Sequence, residues 1–343
     1  MLARQALRSA ARSKPLALAA RWTHSGTVKR ILVTGACGQI GSELIPHLRL
    51  QFGDASVVAS DIKHPGSPIG KFVPLDVLDA KGIMRIILEE DIDTIVHLGA
   101  ILSAFGEKHP ALALEVNGRG TENVLEVARQ HSLRVFVPSS IAAFGPDTPR
   151  DNTPDITIQR PTTMYGINKV TAELLGEYYA LKFGVDFRSL RYPGIISNVT
   201  PPGGGTTDYA VEIFYEAIRH GRYTCFLRPD TRLPMMYMPD CLKATATLLS
   251  VPKESLKQCT YNVSAISFTP AELERAIKKI MPEFVMDYKP DFRQQIADSW
   301  PRSLDDSRAR ADWAWAHEFD LDSMCEDMFR HLRPRLEAEA QQS

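Results

Sequence analysis

The sequence is poor in cysteine and has no cysteine pairs at metal-binding spacing. Its five cysteines stand apart, at Cys37, Cys225, Cys241, Cys259 and Cys325. A disulfide-stapled fold and a cysteine-based zinc site both need regular or close spacing, so the sequence favours neither. The nine histidines are equally scattered, with no pair four residues apart, and we expect no metal site. These absences favour a reducing compartment.

The chain also lacks a long hydrophobic run and an excess of either charge. No apolar stretch reaches the roughly 20 residues that a membrane-spanning helix needs. Lys plus Arg number 40 and Asp plus Glu number 41, so the formal net charge is −1 and no overall field attracts nucleic acid or an anionic membrane. Because 44% of the residues are hydrophobic, we expect a globular protein. Because the charges balance, we expect a small-molecule substrate and neither a nucleic-acid nor a membrane partner.

Acidic residues are missing from the N-terminal segment. No Asp or Glu precedes Glu43, whereas five arginines stand between Arg4 and Arg30 among Ser, Thr and Ala. This composition is typical of a mitochondrial transit peptide, which we predict over residues 1–28, with localisation in the mitochondrial matrix. A basic disordered tail is the alternative interpretation.

A glycine-rich loop follows the first apolar run. Residues 29–34 read as a strand, Gly35, Gly38 and Gly41 follow it, and a helical pattern comes next. Glycines let the backbone approach a pyrophosphate, and a helix N-terminus offers it free N–H groups. A second predicted strand ends at Asp61, 20 residues after Gly41, where a carboxylate can bind an adenosine ribose and repel a 2′-phosphate. The pattern predicts a site for NAD rather than NADP.

Apolar and helical patterns alternate through the first half of the chain. Further strands are predicted at 56–60, 72–77, 94–98, 134–137 and 186–190. This alternation predicts an α/β fold with a doubly wound parallel sheet of the Rossmann type, which binds NAD, over residues 29–195.

The pattern changes after a stretch rich in Pro and Gly at 201–207. Shorter strands are predicted from Tyr261 and Phe284, and helices from Pro270 and Leu304. They predict a second, smaller, mixed α/β domain over residues 196–335, which binds the substrate and is either separate from the first domain or interleaved with it.

Tyr165 and Lys169 stand four residues apart in a predicted helix, so they share one face. A phenol ordinarily loses its proton near pH 10, roughly, but two positive neighbours, Lys169 and an oxidised nicotinamide, favour the phenolate. We therefore expect the pKa of Tyr165 to fall toward neutrality. Ser140 follows a predicted strand at the sheet edge where ligands bind, and it can hold a substrate oxygen. Together with the glycine loop, the three residues predict oxidation of an alcohol with Tyr165 as the base.

These motifs resemble the extended short-chain dehydrogenase/reductase superfamily, over Lys29 to about Phe329. Within it, the chain resembles the short-chain type of L-threonine 3-dehydrogenase. The stretches that carry this resemblance are VTGACGQIG (33–41), HLGAILS (97–103), PSSIAAFG (138–145), PGGGTTDYA (202–210) and DSWP (298–301). Leu98-Gly99-Ala100 departs from the pattern, because many relatives have an Asn there.

The resemblance implies that a homodimer oxidises L-threonine with NAD to 2-amino-3-oxobutyrate, in the breakdown of threonine to glycine or aminoacetone. Catalytic roles fall to Tyr165, Lys169 and Ser140. The expected cofactor site comprises Gly35, Gly38, Gln39, Ile40, Gly41, Asp61, Asp76, Val77, Leu98, Gly99, Ala100, Asn117, Tyr165, Lys169, Tyr192, Pro193 and Ile195.

An amino acid zwitterion needs hydrogen-bond donors for its carboxylate and acceptors for its ammonium. The expected substrate site comprises Ser103, Ser140, Tyr165, Thr206, Thr207, Asp208 and Trp300, the last as an apolar wall against the substrate methyl group. For Thr206, Thr207 and Asp208 a helix N-cap is the alternative interpretation.

Two other functions fit the same motifs. A nucleotide-sugar 4-epimerase or dehydratase would use the same Tyr165, Lys169 and NAD. Four arginines in the second half favour it, because a nucleotide diphosphate needs cations: Arg219, Arg222, Arg228 and Arg232. A non-catalytic dinucleotide sensor is the other alternative, and the intact set of Ser140, Tyr165 and Lys169 argues against it.

Overall fold

The computed structural model describes residues 28–341. Apart from Val28, the predicted transit peptide lies outside the described residues. Within them, no helix combines the length and the apolar character that a membrane span requires.

The described chain contains thirteen strands. They are β1 (Ile31–Thr34), β2 (Val57–Asp61), β3 (Phe72–Pro74), β4 (Thr94–His97), β5 (Arg134–Phe136), β6 (Ser139–Ser140), β7 (Asp186–Tyr192), β8 (Gly194–Ile196), β9 (Arg222–Cys225), β10 (Leu233–Tyr237), β11 (Thr260–Asn262), β12 (Ile266–Phe268) and β13 (Val285–Tyr288).

The same residues form twelve α-helices. They are α1 (Gln39–Phe52), α2 (Ala80–Glu89), α3 (Ser103–Lys108), α4 (Pro110–Ala113), α5 (Gly120–His131), α6 (Met164–Phe183), α7 (Tyr209–His220), α8 (Met238–Ser250), α9 (Pro270–Ile280), α10 (Arg293–Asp298), α11 (Ser307–Trp313) and α12 (Leu321–Gln341).

The main sheet has the strand order β11-β7-β5-β4-β1-β2-β3, with β6 paired to β7. All of its pairings are parallel, and Leu32 of β1 lies between Val58 and Ile95. The strand order reverses between β1 and β4, and ligands of such sheets bind in the crevice at that point, outside the carboxyl ends of the strands. The predicted doubly wound parallel sheet is confirmed.

Helices cover both faces of the main sheet. Successive side chains of a strand point to opposite faces, so Ile31 and Val33 of β1 pack with Leu44 of α1. Leu32 packs on the other side with Ile83 of α2 and other helix residues. Because both faces are buried, β1 is a continuous apolar run instead of an alternating one.

A smaller unit is built around two further sheets, β12-β10-β8 and β13-β9. Its apolar core includes Phe214 of α7, Leu273 of α9 and Phe329 of α12. These elements confirm the predicted smaller mixed α/β unit.

One strand of the second segment lies in the main sheet, as in the interleaved arrangement. The strand at Tyr261 is predicted in the smaller domain, but β11 pairs in parallel with β7 of the main sheet, with Tyr261 opposite Leu190. Leu248 of α8 also packs in the core beneath the main sheet. An apolar pattern shows that a strand is buried, whereas its neighbours in the sheet depend on the long-range path of the chain. The segment after residue 195 therefore contributes to both units.

Candidate active site

The glycine loop joins β1 to α1 and lies against the segment that follows β4. Gly35 has a φ of +70°, and a Cβ there would lie 2.6 Å from the backbone nitrogen of Gly99. A Cβ on Gly41 would lie 2.3 Å from the carbonyl oxygen of Gly35. Only glycine fits at either position, so the loop keeps the backbone close to the start of α1, where Gln39 and Ile40 form the first turn. This is the geometry that a dinucleotide pyrophosphate needs.

Asp61 ends β2 beside this loop. Its carboxylate accepts hydrogen bonds from the backbone N–H of Cys37 at 2.9 Å and from that of Lys63 at 2.9 Å. The side chain is only half-buried, so lone pairs remain accessible at the edge where an adenosine ribose would lie. Asp61 therefore fixes the loop and is placed for the predicted ribose contact.

Replacing Asp61 with Asn tests that contact while keeping an oxygen that can accept from Cys37. We expect NAD affinity to fall about tenfold and the preference for NAD over NADP to fall by a similar factor, because a charged acceptor is lost and the repulsion of a 2′-phosphate with it. Fluorescence titration with both cofactors measures the change. Unaltered affinity for NAD would contradict the predicted contact between Asp61 and the ribose.

Other predicted cofactor residues gather at the same edge. A Cβ on Gly99 would lie 3.2 Å from the side chain of Val77. Asp76 is exposed, and its carboxylate accepts from the backbone N–H of Leu78 at 2.9 Å. A small cavity lies next to this edge, lined by His97, Gly99, Ala100, Asn117, Thr121, Val137, Asn168, Lys169 and Ala172. The cavity connects the predicted cofactor edge with Lys169.

Asn117 lies in a π-helical turn, Leu114–Arg119, between α4 and α5. Such turns are frequent at functional sites. The side chain of Asn117 accepts from the backbone N–H of Ile101 at 2.8 Å and donates to its carbonyl at 3.0 Å. The amide thus supports the loop after β4, and a direct contact between Asn117 and the cofactor stays a prediction.

The three predicted catalytic residues lie together. The hydroxyl of Ser140 lies close enough to that of Tyr165 to lower the pKa of the phenol. The Lys169 ammonium lies 5.3 Å from the centre of the Tyr165 ring and donates to the carbonyl of Pro138 at 2.6 Å. β6 therefore presents the serine to the helix face that carries the phenol and the ammonium.

Close packing at the start of α6 holds Tyr165 against Ser140. Thr163 caps the helix by accepting from the backbone N–H of Gly166 at 3.1 Å. A Cβ on Gly166 would lie 2.2 Å from the carbonyl oxygen of Ala142, in the turn that follows β6. The glycine lets α6 approach this turn closely.

The expected fall in the pKa of Tyr165 is not what the protein alone produces. Burial raises the pKa of Tyr165 to about 12, and the Ser140 hydrogen bond offsets only part of this. Burial also lowers the pKa of Lys169 to about 8, against the opposing effect of Glu173. The expected fall rests on the charges of Lys169 and an oxidised nicotinamide, and the loss of water around the phenol opposes both. Nearby, burial and the charge of Lys169 lower the pKa of His97 to about 3, so this imidazole is neutral.

Glu173 is a residue that the sequence analysis missed. It lies one turn beyond Lys169 on α6 and is buried. Its carboxylate accepts two hydrogen bonds from Arg191 of β7, at 2.9 and 2.8 Å, one from Gln159 at 2.8 Å, and one from Ser139. The spacing Tyr165, Lys169, Glu173 continues one helical stripe, and that signal would have found it. Arg188 and Arg191 form buried ion pairs with Asp186 and Glu173.

The end of β7 brings the segment that contains Thr206 and Thr207 close to Ser140. Tyr192 is the register partner of Ser140, and β8 begins two residues later at Gly194. A Cβ on Gly194 would lie 2.7 Å from the methyl group of Thr207, so this threonine packs directly on the rim that includes Pro193 and Ile195. Thr206, its neighbour, is buried.

Asp208 has a local role. Its carboxylate accepts from the backbone N–H of Gly203 at 2.7 Å and from that of Gly205 at 2.9 Å. It makes no side-chain cap on α7. Asp208 therefore closes the glycine-rich loop, and its contact with the substrate stays a prediction.

The remaining predicted residues, Trp300, Ser103 and Tyr192, differ in their surroundings. Trp300 is buried in the apolar cluster against which the Tyr165 ring also packs. Ser103 begins α3, whose Glu107 accepts from the backbone N–H of Met164 at the start of α6 at 2.6 Å. The Tyr192 hydroxyl is buried against Thr245. Tyr192 is thus anchored in the core through its side chain, and its backbone forms the rim.

Comparison with known proteins agrees with this geometry. Residues 31–264 match the model of the NAD dependent epimerase/dehydratase family. The chain is 53% identical over 304 residues to the mitochondrial L-threonine 3-dehydrogenase of Bos taurus, covering 88% of this chain and 82% of that protein. The crystal structure of L-threonine dehydrogenase from Phytophthora infestans has a TM-score of 0.88 and 63% identity, and the match covers 91% of this chain and 100% of that one.

A third relative bears on assembly. A monomeric L-threonine 3-dehydrogenase from a metagenome has a TM-score of 0.86 and 47% identity, with 89% of this chain and 99% of that chain covered. These findings confirm the resemblance to extended short-chain dehydrogenases. The chain belongs to the NAD dependent epimerase/dehydratase family.

Proposed function

We propose that this protein is an L-threonine 3-dehydrogenase that oxidises the 3-hydroxyl of L-threonine with NAD to give 2-amino-3-oxobutyrate. The observation that carries the proposal is the set of Ser140, Tyr165 and Lys169 at the sheet edge beside the glycine loop, in a chain 53% identical to a protein of that name. The alcohol carbon loses a hydride and the hydroxyl loses a proton, so the product is a ketone.

Each catalytic side chain has one task in this reaction. The Tyr165 oxygen takes the hydroxyl proton, and Ser140 holds the substrate oxygen beside it. Lys169, held by the carbonyl of Pro138, stabilises the phenolate by its charge. Bound NAD supplies the hydride acceptor and a second positive charge. Because burial alone raises the pKa of Tyr165 to about 12, both charges are needed for it to act as a base.

The substrate lies between the two units in this proposal. The main sheet holds the cofactor, and the segment Thr206–Thr207 of the smaller unit offers hydroxyls to the amino acid carboxylate. Trp300 supports the apolar wall on which Tyr165 packs. We keep residues 29–195 and 196–335 as the cofactor and substrate segments, with β11 and α8 of the second segment placed on the main sheet.

The four arginines that favoured a nucleotide sugar are all ion-paired. The pairs are Arg219 with Glu339, Arg222 with Asp287, Arg228 with Asp298, and Arg232 with Glu272. A diphosphate would have to compete with these carboxylates. The arrangement supports the amino acid substrate over the nucleotide sugar.

NADH absorbance at mildly alkaline pH separates the candidate functions. We expect NADH to form with L-threonine and not with a nucleotide sugar. An epimerase would interconvert the sugar with no net NADH, and a sensor would bind NAD without turnover. Absence of NADH from L-threonine with folded protein would reject the proposal.

We further propose that the protein is a homodimer. Exposed apolar side chains form a patch on α6 and on the helical residues 110–119 that contact it. They are Leu112, Leu114, Ile167, Leu174, Tyr178 and Leu181. Leu181 is 91% exposed. An exposed patch of this kind is typical of an interaction surface.

A charge on this apolar patch tests the dimer. Leu174→Glu should convert the dimer to a monomer, because a carboxylate buried without a partner is costly. Leu50→Glu is the control, since Leu50 of α1 is 88% exposed and lies outside the patch. Light scattering after size-exclusion chromatography gives the mass. A wild-type protein that elutes as a monomer, like the metagenome relative by its description, would refute the homodimer.

Localisation in the mitochondrial matrix is also a proposal. It rests on the composition of residues 1–28 and on the mitochondrial relative from Bos taurus. Imaging of the full chain with a C-terminal fluorescent tag, beside a version without residues 1–28, tests it. A full-length protein that stays in the cytosol would contradict it.

A further inference from the structure

A short turn, Ser197–Thr200, precedes the glycine-rich substrate loop, residues 201–208. Ser197 is fully buried, and its hydroxyl oxygen accepts from the backbone N–H groups of Val199 and Thr200, each at 2.9 Å. The turn is thus fixed by one side chain. It forms one end of the substrate loop, and Asp208 closes the other end.

A side chain from the cofactor helix binds this turn. Glu43 of α1 accepts from the hydroxyl of Ser197 at 2.5 Å and from that of Thr200 at 3.3 Å. The Thr200 hydroxyl also lies 3.5 Å from the carbonyl oxygen of Gln39, the first residue of α1. Burial raises the pKa of Glu43, while the two hydroxyl donors act in the opposite direction. The carboxylate is therefore desolvated and depends on these donors.

The same turn is bound from the smaller unit. Asn198 donates to the hydroxyl of Tyr237 at 2.6 Å, and that hydroxyl donates to Asp327 of α12 at 2.7 Å. The turn therefore lies between α1, which carries the pyrophosphate site, and the core of the smaller unit. A movement of α1 would change the hydrogen bonds to Glu43 and leave those to Tyr237 and Asp327 in place.

The loop between these anchors has little structure of its own. It contains Gly203, Gly204 and Gly205, and Gly204 has a φ of +88° with open space around it. Glycine-rich backbone loses much conformational entropy when it is ordered. Its order therefore depends on its two ends, the Glu43-bound turn and Asp208.

We propose that Glu43 is a positioning residue that couples the cofactor helix to the substrate loop, so that NAD and L-threonine bind cooperatively. The inference rests on the proposed function for the identity of the substrate. A cofactor on the glycine loop fixes α1 and with it Glu43, so part of the entropy cost of ordering the substrate loop is already met. By linkage, the substrate increases cofactor affinity by the same factor.

Glu43→Ala removes the anchor without touching a catalytic side chain. We expect the KM for L-threonine at saturating NAD and the KM for NAD at saturating L-threonine to rise by the same factor, about tenfold, while the Kd of NAD without substrate changes less than about twofold and kcat at saturation is retained. Glu43→Gln keeps an oxygen that accepts from Ser197 and should restore most of the coupling. Thr200→Val removes one donor to Glu43, and its KM values should lie between those of wild type and Glu43→Ala. Ser42→Ala, on the same helix turn and exposed, is the matched control and should match wild type.

Hydrogen exchange gives a readout that does not need turnover. In wild type, NADH should slow amide exchange in residues 201–208, and in Glu43→Ala this protection should fall by about tenfold. Unchanged KM values with unchanged protection, or a Kd of NAD without substrate that rises as much as the KM values, would overturn the inference. If Glu43→Ala does not fold, Glu43→Gln and Thr200→Val decide by the same two measurements. Wild-type protein that does not oxidise L-threonine would reject the proposed function, whereas the exchange experiment would still decide the coupling.

Discussion

Replacing Tyr165 with Phe should lower kcat by two to four orders of magnitude, about what a general base contributes. The phenol oxygen accepts the substrate proton, and the neighbouring hydroxyl of Ser140 is too weak a base to replace it. Affinity for NAD should change little, because the ring and its packing stay. Steady-state NADH formation and a fluorescence titration with NADH measure the two effects.

The control for this substitution is Tyr179→Phe. Tyr179 lies on the same helix, and its hydroxyl donates to Glu126 at 3.4 Å, away from Ser140 and Lys169. We expect wild-type turnover from it. Near-normal turnover by Tyr165→Phe would show that another group takes the proton.

The pH profile should carry the same signature. Tyr165 must be deprotonated to act, and burial raises its pKa to about 12, so wild-type kcat should rise with pH through the neutral range. Lys169 must stay charged to hold the phenolate, and its pKa is lowered to about 8, so the rise should level off or reverse above that value. The remaining activity of Tyr165→Phe should lose the ascending limb.

Replacing Glu173 with Ala should destabilise the fold by about 3–5 kcal/mol, because it leaves Arg191 charged, buried and without its carboxylate. The pair is bidentate, and both side chains are almost fully buried. Gln159 and Ser139 lose their acceptor as well. Chemical denaturation measures the free energy of unfolding.

Glu122→Ala is the matched control for burial. Glu122 is also a helix glutamate paired with an arginine, Arg119 at 3.6 Å, but both side chains are exposed. An exposed pair contributes about 0–1 kcal/mol, so this variant should lie close to wild type. Equal stabilities for the two variants would contradict the role assigned to the buried pair.

Local patterns in the sequence predicted the parts of the site that neighbouring residues define. The glycine spacing gave the loop because Gly35 and Gly41 leave no room for a Cβ. The four-residue spacing of Tyr165 and Lys169 gave the catalytic face because both lie on one helix. The sheet followed from continuous apolar runs, since each such strand is buried on both faces.

Long-range contacts were the part that the sequence did not show. Glu43 and Ser197 are hydrogen-bonded although they are 154 residues apart, and no local pattern in either segment predicts this contact. The position of Asp208 in the sequence fits a substrate ligand and a helix cap equally well, and its hydrogen bonds to the loop before it follow from neither. The burial that raises the pKa of Tyr165 could not be predicted for the same reason, because it depends on residues distant in the chain.

The most direct test of the central claim is to follow the hydrogen on C3 of the substrate. L-threonine deuterated at that carbon should yield NADH with deuterium on the nicotinamide ring, detected by mass spectrometry, and Tyr165→Phe should yield almost none in the same time. The account predicts one deuterium per NADH formed. NADH that carries no deuterium, or no NADH at all from folded wild-type protein, would contradict it.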